Sequence, residues 1–487
     1  MKLLFVIPKH RFLFFGYKDV APSTFPHLGV AYLIAALRRH GVEVKLYDDA
    51  WGQPRETLHA LINEFNPDLI GITVFTLNSP LVYELVSEIK TRTSKPIVLG
   101  GVHVSTIKKK VLEETSADFA IKYEGEHSLV ELINEISLSE PRFSQIKNLI
   151  WRSGGGVIEN PDRPFVHNLD DIPFPEFDLF RITPHPAFKK KVLPMVTTRG
   201  CPFSCNFCSV NLYMGRGFRT RSPQNVLDEL KRHVAAGFTQ FDINDDCFTV
   251  DRKRAEAILD LIINIGLSIK FRFSSGLRVD TVDARLLNKI KEAGCVYISY
   301  GCESGNEEIL KYIKKGITLD QVRNAVKWTK KAGIKECAVN FIIGHKHETY
   351  QTAMDSISFA KSLSCDYVNF YNLVPYPGTE AYEWVKAHGR FLVDTNNYLE
   401  AITYADNQPV FETDELTKEQ RQQLIRIGFK VHEFRFFTFR FGKLLGAILY
   451  LITRNNLIKR SLGKFSTASR LGERVAVFFS RKSYDTR

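Results

Sequence analysis

Three of the eight cysteines in this 487-residue chain fall within eight positions: Cys201, Cys205 and Cys208, in the stretch TTRGCPFSCNFCSV. Such density on a turn bearing Gly and Pro asks for a metal or a redox role. A structural zinc site takes four ligands, usually in two close pairs. The next candidates after Cys208, however, are His233 and then Cys247. A disulfide would leave one thiol over, and the cysteine spacing is not that of a secreted disulfide framework. Three thiolates better suit an iron–sulfur cube in which one iron keeps no protein ligand. That vacancy serves chemistry rather than electron storage.

Further downstream, polar residues and glycines stand where apolar runs end. DINDDCFT (242–249) sets Asp245 beside Asp246, YGCESG (300–305) holds Glu303 between two glycines, and FIIGHKHET (341–349) carries Gly344 and two imidazoles. Glu303 falls where a barrel strand would point into a site. The aspartates read alternatively as a solvated turn. His345 and His347, close together in a loop, are expected to face solvent rather than a metal.

These residues need strands to carry them. Over residues 2–136 apolar runs at 2–8, 42–49, 68–75, 96–101 and 119–123 alternate with amphipathic stretches at 28–40, 55–65, 80–93, 104–115 and 127–136. The alternation predicts a parallel sheet covered on both faces, with ligands beyond the carboxyl ends of its strands. The loops to watch are TVFTLNSP (73–80), GGVHVS (100–105) and YEGEHS (123–128). The Gly triplet at 154–156 predicts a hairpin, and the prolines after it a linker. From residue 192 six apolar runs, the first VLPMVTT and the last YVNFYNLV, alternate with helical stretches. That is a partial or complete parallel barrel with its chemistry at the strands' carboxyl ends. The expected domains are 1–140, 141–190 (hairpin and linker), 191–390 (barrel) and 391–487 (extension).

Composition limits the class. Hydrophobic residues at 44% and charged residues at 25% are ordinary for a globular chain. No apolar run reaches the roughly 18 residues of a membrane span. The opening MKLLFVIPKHRFLFFG reads as a strand with a charged exit rather than a leader, so a cytoplasmic location is expected. Of the net charge of +12, Lys430–Arg487 carries +10, from thirteen Lys/Arg against three acids. The basicity therefore belongs to the tail. Its segment 432–460 interleaves aromatics with Arg and Lys, which suits a helical cover for the barrel or a peripheral contact with an anionic membrane. Single-stranded nucleic acid is a weaker fit.

The spacing CxxxCxxC, with Phe207 before the last cysteine, closely resembles the signature of radical S-adenosylmethionine (SAM) enzymes. DINDDCFT, YGCESG, FIIGHKHET and PYPGTEAY (375–382) resemble later strand motifs of that family in the expected order, HKH departing from its usual Pro-Gly turn. FPHLGVAYLIAALRRHGVEVKLYD, GGVHVS and YEGEHSLVEL resemble the cobalamin-binding domain that precedes the barrel in one branch. The resemblance implies an α/β chain: a doubly wound, Rossmann-like cobalamin domain, a partial (β/α)6 radical SAM barrel and a helical basic extension. It implies a [4Fe–4S] cluster on Cys201, Cys205 and Cys208, with SAM on the open iron. Phe207, Asp245, Asp246, Glu303 and Gly344 would line the SAM pocket. Thr76, Asn78, Gly100, Gly101, His103, Glu124, Gly125 and Glu126 would line the cobalamin site. None of the 13 histidines has Asp two positions before it, so a DxHxxG lower ligand is missing and His10, His27 and His103 are poor candidates for that role. No cysteine precedes Cys201, which removes the second cluster of RNA methylthiotransferases and argues against nucleic acid as partner. The implied reaction is methylation of an unactivated carbon in a small-molecule or lipid-like substrate, with an external electron donor such as flavodoxin or ferredoxin. A radical cyclase of the Mg-protoporphyrin monomethyl ester type, or a non-catalytic cobalamin/SAM sensor, are the other readings.

Overall fold

The computed structural model describes residues 1–8, 25–49, 54–184, 190–393 and 408–454. Its first sheet contains β1 (Lys2–Ile7), β2 (Glu43–Asp48), β3 (Leu69–Thr73), β4 (Ile97–Gly100) and β5 (Phe119–Ile121), all parallel, in the order β2-β1-β3-β4-β5. Side chains alternate along β1. Leu3, Phe5 and Ile7 join a core with Val30, Ile34 and Leu129, while Leu4 and Val6 join another with Leu58, Ile62 and Val86. Helices thus cover both faces, and each fully buried Leu or Ile contributes about 1.5–3 kcal/mol. The order reverses beside β1, so the ligand crevice lies at the carboxyl ends of β1, β3 and β4.

The hairpin expected at the Gly triplet is present as β6 (Leu149–Ser153) and β7 (Gly156–Glu159), with Gly154 and Gly155 at positive φ in its turn. It pairs antiparallel with β5, so the first sheet runs on past residue 140 to seven strands.

The second sheet is wholly parallel: β8 (Leu193–Met195), then β11 (Gln240–Ile243), β12 (Lys270–Leu277), β13 (Cys295–Glu303), β14 (Glu336–Ile343) and β15 (Tyr367–Asn372), in simple succession. Between its first two strands a two-residue ladder joins β9 (Thr198–Arg199) to β10 (Arg219–Thr220). The helices between strands start cleanly: the side chains of Ser222, Asp251, Asp283, Asn306, Thr318 and Thr349 each accept a first-turn amide. Each cap stabilises its helix by about 1 kcal/mol. Phe177 and Phe180, from the Pro-bearing linker, belong to the same core as Phe5 and Met195, so the two sheets share apolar interior.

The helix Lys418–Phe441 lies along β15 at the open edge of the barrel. His432 Nδ1 is 2.7 Å from the Val368 carbonyl, Arg435 donates to the Cys365 carbonyl at 2.6 Å, and a Cβ at Gly428 would sit 2.6 Å from the Phe370 ring. The first part of the extension is therefore a barrel cover. Residues 455–487, which hold much of the basic charge, lie outside the described residues.

Candidate functional site

The three cysteines occupy one closed loop. Residues 200–218 leave the barrel after β9 and return through β10, with Arg199 opposite Arg219 and Thr198 opposite Thr220. Gly200 has φ +86°, and a Cβ there would lie 2.2 Å from the Gly217 carbonyl, so only glycine lets the two limbs approach. Below the loop, Asp245 at the end of β11 accepts from the amides of Thr197 and Thr198 and from the Thr197 hydroxyl. Its carboxylate is buried and wholly used in holding the loop's base. Asn206 fastens the middle: its side chain donates to the Tyr312 carbonyl at 3.0 Å and its amide to the Ile313 carbonyl at 3.1 Å.

Cys201, Cys205 and Cys208 are free, half-buried thiols. Burial pushes the Cys208 thiol up to about 11 and raises Cys205, against the pull of Lys315 and Arg278. Metal binding must therefore release protons from them. Among the described residues no three His, Cys, Asp or Glu side chains converge on one ion. On a cube each thiolate binds a different iron, so the three need not meet at a single ion. Two cations act on Cys205, each already paired: Lys315 Nζ is 2.7 Å from Glu303, and Arg278 is 2.9 Å from Asp280, lies 3.5 Å over the Phe203 ring and donates to the Lys315 carbonyl at 2.9 Å. These residues fit a thiolate-held cluster.

The other sequence-derived residues of the barrel meet at the same end. Glu303 closes β13 at φ +71°, and a Cβ on Gly301 would fall 2.3 Å from its carboxylate, which explains the glycine. Asp246 accepts the Gly200 amide, and burial, then Asp245, lifts it to about 6. Gly344 has φ +104°, and a Cβ there would strike the fully buried Arg421 at 2.3 Å. His345 corrects the sequence expectation. It is 2% exposed rather than solvent-facing, because the amides of Gly344 and His345 turn inward to the Glu348 carboxylate. Its ring sits 5.5 Å from that of Phe207, is hydrogen-bonded to the backbone at Glu303, and leaves Nε2 buried without a partner. Burial takes its pKa down to about 3, so the imidazole is neutral. His347, by contrast, is exposed against Tyr312 and Trp384.

On the first sheet the candidates gather at the carboxyl ends of β3, β4 and β5. Gly101 (φ +112°) follows β4, and a Cβ would meet the Val74 carbonyl at 2.7 Å. Thr76 and Asn78 form a buried turn in which Asn78 Oδ1 accepts the Phe75 amide at 2.9 Å. His103 Nε2 is 2.9 Å from the Tyr83 hydroxyl while Nδ1 is buried and unpartnered. That orphan nitrogen beside Gly100 and Gly101 fits a polar-rimmed ligand in this crevice. Both ring nitrogens of His27 are engaged, Nδ1 by the Val30 amide and Nε2 by the Thr73 hydroxyl. His10 lies outside the described residues.

Glu124 and Glu126, flanking Gly125, do something the sequence did not suggest. Arg199 donates to Glu124 at 2.9 Å and to Glu126 at 2.6 Å, and Arg219 donates to Glu124 at 2.6 Å, all four side chains being buried. The ladder that closes the cysteine loop is thereby riveted to the loop after β5. The helix Val102–Ile107 also packs on the helix Val210–Met214, which follows Cys208. Arg199, Arg219, Lys315, Arg278 and His345 were all missed as site residues. The one available signal was an Arg interrupting the apolar run immediately before Gly200.

A doubly wound sheet is thus joined by buried ion pairs to a thiol-bearing loop on a six-stranded parallel sheet, the architecture of a two-domain α/β protein. Family models agree in detail: the radical SAM superfamily matches residues 195–360 and the B12 binding domain matches residues 16–133. The uncharacterized methyltransferase PH0819 of Pyrococcus horikoshii is 34% identical over 430 residues, covering 88% of this chain and 91% of that one. The anaerobic magnesium-protoporphyrin IX monomethyl ester cyclase of Cereibacter sphaeroides is 29% identical, covering 79% of this chain and 63% of that one. In fold, the chain resembles the radical SAM methyltransferase TsrM of Kitasatospora setae, solved with cobalamin and a [4Fe–4S] cluster, at TM-score 0.67 and 20% identity over 81% of each chain. The chain belongs to the cobalamin-binding radical SAM enzyme family, and its cofactors are a [4Fe–4S] cluster, SAM and cobalamin.

Proposed function

We propose that this enzyme methylates an unactivated carbon of a small-molecule or lipid-like substrate held between its two sheets. The observation that carries the reading is the buried Arg199/Arg219–Glu124/Glu126 rivet, which fixes the cysteine loop against the cobalamin crevice. Chemistry at a carbon that is not a nucleophile needs a hydrogen-abstracting site and a methyl-bearing site at fixed distance, with water excluded. When bound, the cluster would supply the electron for reductive cleavage of SAM and cobalamin would supply the methyl group.

In this reading Cys201, Cys205 and Cys208 hold three irons and leave the fourth to SAM. Phe207, Asp246, Glu303 and Gly344 bound the SAM pocket. His345, neutral and with Nε2 free, offers an acceptor beside Phe207. Asp245 acts by shaping the loop. Thr76, Asn78, Gly100, Gly101 and His103 line the corrin crevice, and Glu124 and Glu126 fix its distance from the cluster. An external electron carrier such as flavodoxin or ferredoxin supplies the reductant. The test is a product count on turnover: one S-adenosylhomocysteine and one 5′-deoxyadenosine per methylated product. 5′-Deoxyadenosine without matching S-adenosylhomocysteine would favour the cyclase reading.

The crevice also sets an expectation for cobalt. We assign His103, whose Nδ1 has no protein partner, to the corrin rim rather than to cobalt; with no DxHxxG histidine and both His27 nitrogens engaged inside the fold, the cob(II)alamin form should then show no axial nitrogen splitting from a protein imidazole in its EPR spectrum. Imidazole splitting would refute this arrangement.

We further propose a peripheral membrane contact for the extension. Among the described residues no helix is long and apolar enough to cross a bilayer. The helix Lys443–Arg454 nevertheless exposes Leu444 (79%), Leu445, Ile448 and Leu451 (66%) along one face, next to a strongly basic tail. A basic, amphipathic segment of this kind suits an anionic lipid surface. Replacing Leu444 and Leu451 together by Glu should weaken binding to anionic vesicles about a hundredfold or more, given about 1.5–3 kcal/mol per buried Leu. Salt should weaken binding of the unmodified protein. Equal binding to neutral and anionic vesicles would leave the helix a purely structural role.

A further inference from the structure

Cys247 lies outside the CxxxCxxC motif. It lies at the exit of β11 in DINDDCFT, is buried, and places its sulfur 3.4 Å from that of Cys201. A disulfide would hold the two sulfurs at about 2.05 Å, and both thiols are free. The separation is that of a hydrogen bond between sulfurs. Cys295, Cys302, Cys337 and Cys365 are buried elsewhere, in the barrel strands and their core. Cys247 alone is beside a member of the cysteine triad.

If Cys201 ligates iron, as proposed above, its sulfur is a thiolate with no proton to give. The hydrogen bond then has one direction only, from Cys247 S–H to Cys201 Sγ. We infer that Cys247 is a positioning residue for the cluster, donating to the Cys201 thiolate and raising the cluster's reduction potential. Reduction adds one electron from the external donor, and part of that charge falls on the ligating sulfurs. A donor aimed at one of them stabilises the more negative state, as hydrogen bonds to cluster sulfurs generally do. No proton moves; Cys247 keeps its S–H in both states. Gly200 and Asp246 hold the geometry, one by letting the loop limbs meet and the other by accepting the Gly200 amide.

The experiment is an anaerobic redox titration of the reconstituted holoenzyme, followed by EPR of the reduced cluster, with dithionite and mediators and without substrate. Cys247→Ala should keep its iron and visible absorbance but become harder to reduce. The expected change is about tenfold in the one-electron equilibrium, for loss of a hydrogen bond to a charged group, or ~59 mV more negative. Cys247→Ser, which retains a donor, should stay close to the unmodified protein and provides the check should the Ala variant fold poorly. A potential unchanged in Cys247→Ala, or equally lowered in the Ser variant, would overturn the inference. Loss of the cluster in both variants would overturn it too, by making Cys247 a ligand or a fold element. A cluster that survives Cys201→Ala would instead remove the ligand assignment on which this inference rests.

Discussion

Replacing any one of Cys201, Cys205 or Cys208 by Ala should leave a folded protein with most of its iron gone and SAM cleavage at background. Each thiol sits on the loop between β9 and β10, whose shape is set by Gly200, Asp245 and Asn206 rather than by the cysteines themselves. Truncation should therefore remove a proposed ligand without removing the loop. A cube held by only two thiolates loses a corner and the defined vacancy that binds SAM. The contrast set is Cys295, Cys302, Cys337 and Cys365, fully or nearly buried and packed as small hydrophobes. Ala there should cost about 1 kcal/mol of stability and leave the cluster in place. Iron content, absorbance after anaerobic reconstitution and 5′-deoxyadenosine formation measure all seven variants. Full SAM cleavage by Cys205→Ala would sink the ligand assignment.

The second large effect is expected at Arg199. Its guanidinium bridges Glu124 and Glu126, packs over Tyr32 at 5.2 Å, and is buried with both partners. Burial alone would disfavour its charge, but Glu126 and Glu124 outweigh that and hold the guanidinium fully protonated. Arg199→Met strands buried carboxylates, with only Glu124 keeping Arg219. Breaking a buried pair in this way costs about 3–5 kcal/mol. Because the pair joins the cysteine loop to the first sheet, the loss should appear as loosening between the sheets. Hydrogen exchange should rise around residues 124–128 and 199–219, and product formation should fall more than binding of either cofactor. Combining Arg199→Met with Glu126→Gln should recover part of the loss, with a coupling of at least about 1 kcal/mol in a double-mutant cycle. Strict additivity would mean that the rivet is not a unit.

The division between what could and could not be read from the sequence follows physical range. Strands such as LIGIT and the CxxxCxxC turn are local signals, legible because burial on both faces demands continuous apolar residues and because thiol spacing is a short-range property. The loops around Gly101, Glu303 and Gly344 were legible for the same reason, since glycines mark strand exits. The Arg199–Glu124 pair spans 75 positions, and nothing near either residue names its partner. His345 departs from the exposure that its loop position suggests: the amides turn inward to Glu348, and Arg421, from a helix more than seventy residues later, packs on Gly344 and donates to the Ile343 carbonyl. The hairpin of β6 and β7 is legible in its Gly triplet, but its pairing with β5 is not, because edge pairing leaves no periodic trace. The cover formed by Lys418–Phe441 emerged only from contacts such as His432 with Val368.

Methyl transfer between two sites joined by the Arg199–Glu124/Glu126 ion pairs can be tested without knowing the substrate. Reduced holoenzyme, loaded with cluster and cobalamin, is mixed anaerobically with excess SAM, and S-adenosylhomocysteine is counted against bound corrin. Methyl transfer requires one S-adenosylhomocysteine per bound corrin in a single rapid phase, and none when cobalamin is omitted. Formation of 5′-deoxyadenosine alone, with no corrin-dependent S-adenosylhomocysteine, would contradict it.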